Sequence, residues 1–269
     1  EVNPTKVTVI YDGKYTNVLA VTPTRKGYLF AGWLLDGKKI EDNTVVKKTE
    51  VHTVKADWTA ITYTVKFDAN TWSTTVPANQ TFTYDAKQTL TTMTGTVEGH
   101  TFAGWALAAD KTKVVYTNGA EVENLADKEG TIVTLYAVFT VNTYEVTLNG
   151  NGGTSDVDTI TVTFGKTYGD ATTAIDTIKA SRLGYTFAGW YTSIDGNTVV
   201  TNATTVTADP YINLYAHWTA NKYDIIINPN KGTVDGHSEE YTITEGITFA
   251  GDYTMLDKLT ATASRAGYT

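Results

Sequence analysis

Apolar and polar residues alternate with a period of two at the start of several stretches of the chain. In the clearest example, Tyr63, Val65 and Phe67 are separated by polar residues. Alternation of this kind predicts a half-buried strand with one face toward water. Related openings read VTVIYDG from Val7, YEVTLNGNGG from Tyr144 and YDIIINPNKG from Tyr223.

Each of the longer openings is followed by a turn signal and a second short strand. The turns are Asn151-Gly152-Gly153 and the stretch PNKG at 229–232. Glycine and asparagine at such points favour hairpin turns, since they accept positive φ angles. The second strands are expected at TITVTF (159–164), YTITEG (241–246) and, more loosely, TFTY (81–84).

The period then changes in a way that predicts a short helix. DATTAIDTIKAS at 170–181 begins with Asp170, a capping residue, and places Ile175 and Ile178 three residues apart. DYTMLDKLTATAS at 252–264 has a similar pattern. The first stretch of the chain is shorter, and VLAVTPTRK at 18–26 is expected to replace this helix there.

A seven-residue phrase then recurs, and its alternation predicts a third strand. It reads GYLFAGW at 27–33, GHTFAGW at 99–105 and GYTFAGW at 184–190, and the chain stops at GYT, 267–269. Simple alternation puts Phe187 and Trp190 on opposite faces, unless Gly189 lies in a bulge that turns the tryptophan round. A hairpin turn is expected next, at Asp36-Gly37 or Asp195-Gly196.

A fourth, closing strand completes each unit. It reads VKADW at 54–58, LYAVF at 135–139 and LYAHW at 214–218, with Leu214, Ala216 and Trp218 expected to face inward. Five of the six tryptophans lie in the phrase or at the close, and Trp72 does not. A residue copied at one register into successive units is interpreted as a core residue, because large aromatics dominate burial in small domains.

The order strand–strand–short helix–strand–strand predicts a small α+β module, mostly β, around one mixed sheet. We divide the chain into module 1 (1–59, short), module 2 (60–140), module 3 (141–220) and module 4 (221–269, truncated before its last strands). The links at 59–62, 140–143 and 219–222 are four residues long and not Gly/Ser-rich. Short links of this composition predict an elongated array of closely spaced modules.

Composition and charge narrow the class of protein. The 269 residues are 41% apolar and 19% charged, as in folded proteins, with a formal net charge of −8 that disfavours nucleic acid as a partner. The absence of cysteine excludes disulfides and thiolate sites. No apolar run approaches the ~20 residues of a membrane-spanning helix, so no membrane insertion is expected in this segment. Because the chain begins at Glu1, we interpret it as a piece or processed product of a longer protein.

Candidate chemistry is sparse. His52, His100, His217 and His237 lack metal-ligand spacing and are interpreted as solvated surface residues. FGKT at 164–167 fails the phosphate-loop pattern, since Ile160 stands where its first glycine is needed. The acidic stretches DVD (156–158) and GHSEE (236–240) lack EF-hand spacing, and no G-x-S-x-G elbow occurs. We therefore predict no enzyme, no catalytic or metal site and no cofactor.

The conjunction of motifs resembles the Listeria–Bacteroides repeat, the family that includes the B repeats of internalin-type surface proteins. The matching stretches are Tyr144–Thr154, Gly184–Thr192 and Leu214–Trp218, with the same landmarks in modules 1 and 2. Module 2 departs from the pattern at His100 and in reading NTWSTT in place of the Gly-Gly turn. The resemblance implies β-grasp-like modules in tandem on the bacterial cell surface, as stalk or adhesive segments.

Three functions remain open from the sequence. The favoured one is a non-catalytic stalk that could also bind a ligand. The second is an adhesin for a glycan or host protein, with Trp72, Tyr116 or Tyr211 as stacking platforms. The third is an accessory region of a secreted enzyme whose catalytic domain lies elsewhere. Module 4 is further expected to leave an unpaired sheet edge that could pair with a strand of another chain.

Overall fold

The computed structural model describes residues 6–107 and 113–227, together with residue 231 and the stretches 233–234, 241–248 and 263–264. The described chain is mostly β, with several small sheets. It divides into two compact units, residues 1–140 and 141–269, which are described separately below.

Module 1 is a three-stranded sheet preceded by one helical turn. The central strand β1 carries the recurrent phrase and pairs antiparallel with β2 and β3 in the order β2-β1-β3. The tight turn between β1 and β2 places Asp36 and Gly37 at φ 50° and 78°, which confirms the hairpin expected there. The elements are α1 (Thr16–Leu19), β1 (Tyr28–Leu35), β2 (Lys38–Lys39) and β3 (Lys55–Ala60).

Module 2 is a four-stranded mixed sheet with a small ribbon beside it. The opening strand β4 lies inside the sheet, antiparallel to β5 and parallel to the closing strand β9, in the order β5-β4-β9-β7. The elements are β4 (Thr62–Asp68), β5 (Gln80–Thr83), β6 (Gln88–Thr89), β7 (His100–Leu107), β8 (Glu121–Val122) and β9 (Ile132–Val141), with β6 and β8 forming the ribbon.

Module 3 repeats this sheet and adds one strand, in the order β12-β10-β16-β14-β15. The opening strand β10 again pairs antiparallel with the second strand and parallel with the closing strand. The elements are β10 (Thr143–Asn149), β11 (Thr154–Ser155), β12 (Thr159–Thr163), two 3₁₀ turns (Tyr168–Asp170 and Ile175–Thr177), β13 (Ala180–Ser181), β14 (Tyr185–Tyr191), β15 (Val199–Val200) and β16 (Asn213–Ala220).

The described backbone of module 4 repeats two strand pairs of module 3. Its opening strand pairs antiparallel with the second strand, as β10 does with β12, and a short pair corresponds to β11 with β13. The elements are β17 (Lys222–Ile227), β18 (Thr233–Val234), β19 (Tyr241–Thr248) and β20 (Ala263–Ser264).

The helix predicted at 170–181 is not an α-helix. The 3₁₀ turns Tyr168–Asp170 and Ile175–Thr177 occupy this stretch, and Ala180–Ser181 is already strand. A stretch this rich in threonine is a poor helix former, and Ile175 and Ile178 reach the core from single turns. In the described part of the chain the α-helix is α1, in module 1, where none was expected. Most of the helix predicted at 252–264 lies outside the described residues, and Ala263–Ser264 is strand.

The interpretation of residues 7–10 as an opening strand is wrong. These residues form no strand, and the turn that follows them matches the turn after the second strand of module 3. Asp12 N donates to Val46 O at 2.9 Å, as Gly165 N donates to Val206 O at 3.0 Å. Both turns lead three residues later to a buried tyrosine, Tyr15 or Tyr168. Residues 7–10 therefore stand at the second-strand position.

The three cores differ in size. Among the described residues, twelve buried residues form the core cluster of module 3, eleven that of module 2 and four that of module 1. In modules 2 and 3 the opening strand supplies inward residues such as Val65 and Val146, both fully buried. In the part of module 1 that the structure describes, no strand occupies that position, and the core is correspondingly small.

The link between modules 1 and 2 is shorter than four residues. Only Ile61 separates β3 from β4, and it is buried, with its N–H donating to Gly27 O at 3.0 Å. The Tyr28 hydroxyl donates to Asp85 Oδ2 at 2.7 Å across the same seam. Asn221 separates β16 from β17 in the other unit and likewise donates to Gly184 O at 2.9 Å. The link residue is thus tied to the glycine that opens the phrase.

Candidate functional site: the recurrent core motif and the outward face

The recurrent glycine forms the bulge that turns the tryptophan inward. The register of β14 against β16 shifts between Phe187 and Gly189, and Gly189 has φ +132°, a conformation that L side chains rarely adopt. Trp190 is consequently 2% exposed and meets Phe187 edge-on, with ring centroids 5.3 Å apart. β1 shifts register in the same way at Gly32, φ +134°. The bulge considered from the sequence is confirmed.

The indole N–H of the phrase tryptophan has a fixed partner in two of the modules. Trp190 Nε1 donates to Ile178 O at 3.1 Å, and Trp33 Nε1 donates to Val21 O at 3.0 Å, in each case twelve residues earlier. Trp105 is fully buried, and its Nε1 has no hydrogen-bond partner among the described residues. The ring is therefore the common feature of the three modules, and the hydrogen bond is not.

The closing tryptophan of module 3 holds the Gly-Gly turn. Trp218 Nε1 donates to Gly150 O at 3.1 Å and to Asn151 O at 3.0 Å. A Cβ at Gly153 would lie 2.5 Å from the Trp218 ring, so the turn fits under the ring only without a side chain. Phe187 meets Trp218 edge-on at 5.7 Å, which joins the turn to the phrase.

Trp72 is a core residue of module 2 and not an exposed platform. It is half-buried and packs against that core, with its ring 5.5 Å from Phe139 and 4.9 Å from His100. Phe139 stands where module 3 has the larger Trp218. The turn sequence NTWSTT thus supplies the indole that the closing strand of module 2 lacks, a compensation that becomes visible only once the two positions are seen to be neighbours.

The other two proposed platforms differ from each other. Tyr116 is half-buried against the module 2 core and is not an open platform. Tyr211 is 49% exposed, and its carbonyl accepts a 3.0 Å hydrogen bond from the hydroxyl of buried Tyr168. Burial raises the pKa of Tyr168 to about 12.

No outward residue of the closing strand is shared by all three modules, although modules 2 and 3 both have tyrosine at the first outward position. The inward positions hold Leu135 and Ala137 in module 2 and Leu214 and Ala216 in module 3, all fully buried. The outward residues on either side of the alanine are Lys55 and Asp57 in module 1, Tyr136 and Val138 in module 2, and Tyr215 and His217 in module 3.

Module 3 carries an aromatic pair on its outward face that sequence reasoning did not single out. Tyr191 and His217 stack with ring centroids 3.9 Å apart and planes 11° from parallel, and Tyr191 is cross-strand neighbour to Tyr215. His217 Nε2 lies 2.9 Å from Ser193 O. Gly189 is the cross-strand neighbour of His217.

The described histidines are half-buried and bonded rather than simply solvated. His52 Nε2 lies 2.9 Å from the Tyr15 hydroxyl, and His100 Nδ1 lies 2.8 Å from Glu98 O. His237 and the stretch 236–240 lie outside the described residues. Asp156 accepts a 3.1 Å hydrogen bond from Lys179 N. Within the described ranges, no group of three or more His, Asp or Glu side chains could hold a metal ion.

The contact between modules 1 and 2 contains an exposed side-chain pair, Tyr28 and Asp85, whose pKa values are shifted. Hydrogen bonds from the Tyr28 hydroxyl and then from the Asn124 side chain lower the pKa of Asp85, and the same bond to Asp85 raises the pKa of Tyr28. Lys26 lies 3.6 Å from Asp127 beside this pair. These contacts tie two modules together and contain no nucleophile–base pair.

Comparison with known proteins identifies the repeat. A family model described as the Listeria-Bacteroides repeat domain matches residues 1–57, 63–138 and 144–217. The three matches have the same landmarks, and together they cover most of the chain.

Similar curated proteins include three from two bacteria. A protein of Evansella cellulosilytica named as a Gly-rich membrane protein is 29% identical over 221 residues, 78% of this chain and 24% of the relative. A second from the same organism, named as a membrane protein, is 28% identical over 249 residues, 92% of this chain and 34% of the relative. Internalin H of Listeria monocytogenes is 29% identical over 202 residues, 66% of this chain and 34% of its own length.

The chain therefore spans about a quarter to a third of these relatives. None of the helices in the described residues is long and apolar enough to cross a membrane.

Proposed function

The chain belongs to the Listeria–Bacteroides repeat family, and from that premise we propose that it is a non-catalytic tandem-repeat stalk in a bacterial cell-surface protein. Relatives named as membrane proteins and as an internalin support an extracellular, surface location. β-grasp-like modules joined by short links would carry other parts of the protein away from the cell wall.

One observation carries this proposal: the aromatic residues and the bulge glycine that recur in all three modules belong to the packing of each module, whereas no outward residue of the closing strand recurs in all three. A repeated binding face would repeat its exposed side chains, since contact residues determine recognition. Here the shared positions are Phe, the bulge Gly, Trp and the closing aromatic, whose role is packing. The repeat thus favours a function in which each copy supplies a stable folded segment.

The β-grasp designation rests on the mixed sheet of modules 2 and 3. In both, an opening strand lies antiparallel to the second strand and parallel to the closing strand. The connecting segment carries short turns rather than the expected helix, so we propose a helix-poor variant of that architecture.

The test combines shape and binding on the intact 269-residue chain. Small-angle scattering should give a radius of gyration clearly above the about 18 Å of a compact domain of this length, because modules in line are extended. A glycan array and a pull-down from host-cell extract should show no saturable ligand.

A compact radius would contradict the stalk, and a saturable ligand would favour the adhesin instead. Trp190→Ala and Tyr215→Ala separate the two cases. A stalk loses stability with the first variant alone, whereas an adhesin that uses the outward face loses binding with the second while the fold stays intact.

The adhesin alternative has one specific observation in its favour. The stacked Tyr191–His217 pair with Tyr215 beside it forms an aromatic surface in module 3, and such rings stack on sugars. Module 2 has Val138 and Tyr136 at the equivalent closing-strand positions and supplies a matched control. The third alternative, an accessory region of a secreted enzyme, is tested by identifying the rest of the parent protein.

A further inference from the structure

In the described residues the closing strand of module 1 lies at the edge of its sheet, whereas the closing strands of modules 2 and 3 lie inside theirs. The closing strands β9 and β16 each lie between two neighbours, but the equivalent β3 is the last strand of its sheet. The opening strand fills this position in modules 2 and 3. Residues 7–10, at the second-strand position, make no described backbone hydrogen bond to β3.

The first residues of the closing strand are also not paired as strand in module 1. β9 begins at Ile132, and register with the phrase makes Val51 its equivalent, yet β3 begins only at Lys55. Residues 51–54 belong to no strand, and Val51 is completely exposed. A strand segment whose partner is absent does not form its ladder.

The side chains behind this edge are incompletely covered. Val54 and Ala56 are half-buried, whereas their equivalents Leu214 and Ala216 are fully buried. Trp33 is half-buried, whereas Trp105 and Trp190 are 0% and 2% exposed. The uncovered residues are those that the inward side chains of an opening strand meet in modules 2 and 3.

We propose that the edge formed by residues 51–55 binds an opening-type strand of this repeat, supplied from outside residues 1–269. The strand carries an aromatic residue, Val and then Leu or Phe at alternate positions, with polar residues between them. It runs parallel to β3 and places its last apolar residue opposite Val54, the register that joins Leu148 to Leu214 and Phe67 to Leu135.

The backbone geometry of the occupied modules defines the contact. Thr147 N donates to Ile212 O at 2.9 Å, and the equivalent acceptor in module 1 is the carbonyl of His52. Leu148 N donates the other way, to Asp158 O at 2.8 Å. Alternate amides of the inserted strand therefore point toward residues 51–55, as in strand addition to a sheet edge.

The complete modules of this chain are poor donors for that edge. β4 and β10 each lie between two strands, so either would have to leave its own core. Their inward residues Val65 and Val146 are fully buried, and removing them would expose both core and ladder. A free opening strand has no such cost. β17 of this chain is already paired with β19, and its use by a second copy is the rival that the dilution experiment below tests.

The test adds a synthetic peptide, NTYEVTLNG (the sequence of residues 142–150), to the intact chain. Calorimetry should show saturable binding with one peptide per chain. Hydrogen exchange should slow by about tenfold or more within residues 51–55, because this segment gains a ladder partner. Amides 132–138 and 213–219, whose partners are already in place, should not change and serve as internal controls.

Two control peptides test the geometry. A peptide with Val146→Asp and Leu148→Asp loses the inward face, and one methylated at the Thr147 amide loses the bond to His52 O; neither should bind. Equal binding of either control, no saturable binding of the parent peptide, or protection gained equally in all modules would each overturn the proposal.

Protein variants and the oligomeric state complete the experiment. Val54→Asp should abolish peptide binding and Thr53→Asp, which points outward, should preserve it. If residues 51–55 of the free chain are already as protected as 132–136, the edge is not available. If that protection disappears on dilution together with a dimer in ultracentrifugation, the occupant is a second copy of this chain, and the assignment to an outside strand is wrong.

Discussion

Modules 2 and 3 both pack an indole ring between the turn after the opening strand and the closing strand, but the tryptophan comes from a different one of these two segments in each module. In module 3, Trp218 of the closing strand lies over the Gly-Gly turn, and a side chain at Gly153 would clash with its ring. In module 2 the closing residue is Phe139, and the indole comes from Trp72 in the turn. The turn and the closing strand therefore act as one packing unit, in which the position of the indole can be exchanged.

The same two modules differ in how the phrase tryptophan is held. Trp190 Nε1 has Ile178 O as partner, whereas Trp105 Nε1 has none in the described residues. Both rings are buried all the same. The comparison teaches that apolar packing, and not one particular hydrogen bond, is what the repeat maintains.

The largest expected effect is the removal of a phrase tryptophan. Trp190→Ala and Trp105→Ala should each lower the free energy of unfolding of their unit by about 3–5 kcal/mol, the usual cost of emptying a large aromatic site. Trp33→Ala should cost less, because Trp33 is only half-buried. Urea unfolding followed by circular dichroism measures the three, with the outward Tyr215→Ala as a control near zero. Equal costs at Trp33 and Trp190 would contradict the difference in burial.

The packed turn of module 3 gives the next largest effect. Gly153→Ala should destabilise the unit by about 1–3 kcal/mol, the typical cost of overpacking, since the new Cβ would lie 2.5 Å from both the Trp218 ring and Ser181 O. In a Trp218→Phe background the same change should cost less, because part of the clash is gone. A double-mutant cycle by thermal unfolding measures this coupling, and additive costs would show that ring and turn are not one unit.

The hydrogen bond of the phrase tryptophan should account for a smaller difference. Trp190→Phe and Trp105→Phe remove the same volume, but only the first leaves a carbonyl, Ile178 O, without its donor. Trp190→Phe should therefore cost about 1 kcal/mol more than Trp105→Phe. Denaturant midpoints of the two variants test this, and an equal loss would assign the whole effect to packing.

The smallest effect is a difference in alkaline stability. Burial raises the pKa of Tyr168 to about 12, above its ordinary value of 10, so the folded state favours the neutral phenol. Its stabilising contribution is complete below pH 10 and is lost between pH 10 and about 12. Module 2 has Leu90 at the corresponding turn. In Tyr168→Phe, melting temperatures measured across a pH series should fall less between pH 10 and about 12 than in the wild type. An unchanged pH profile would contradict this assignment.

The positions of the strands could be predicted from the sequence, because the alternation of apolar and polar residues and the recurrent phrase are local signals. The alternation of Tyr63, Val65 and Phe67 predicts three residues that the structure buries. The bulge at Gly189 could be stated only as an alternative, since alternation alone puts Phe187 and Trp190 on opposite faces. Gly189 suggested the bulge, and the register shift of β14 against β16 shows that it is present.

The rest depended on contacts between distant residues. The burial of Trp72 follows from its contact with Phe139, which lies 67 positions later and has no local signature. The position of residues 7–10 follows from the turn bonds of Asp12 and Gly13 to Val46. The alternation of Val7 and Val9 fits a second strand as well as an opening strand, so the sequence pattern could not distinguish these two positions. The Tyr191–His217 stack likewise arises across strands.

The account rests on the claim that the recurrent residues stabilise their own module, and hydrogen exchange of Trp190→Ala in the full chain tests that claim most directly. We expect amide protection to fall across β10, β12, β14 and β16 and to remain at the wild-type level in β4, β7 and β9. Unchanged protection in module 3, with a ligand-binding activity lost instead, would place Trp190 at a recognition surface and contradict the account.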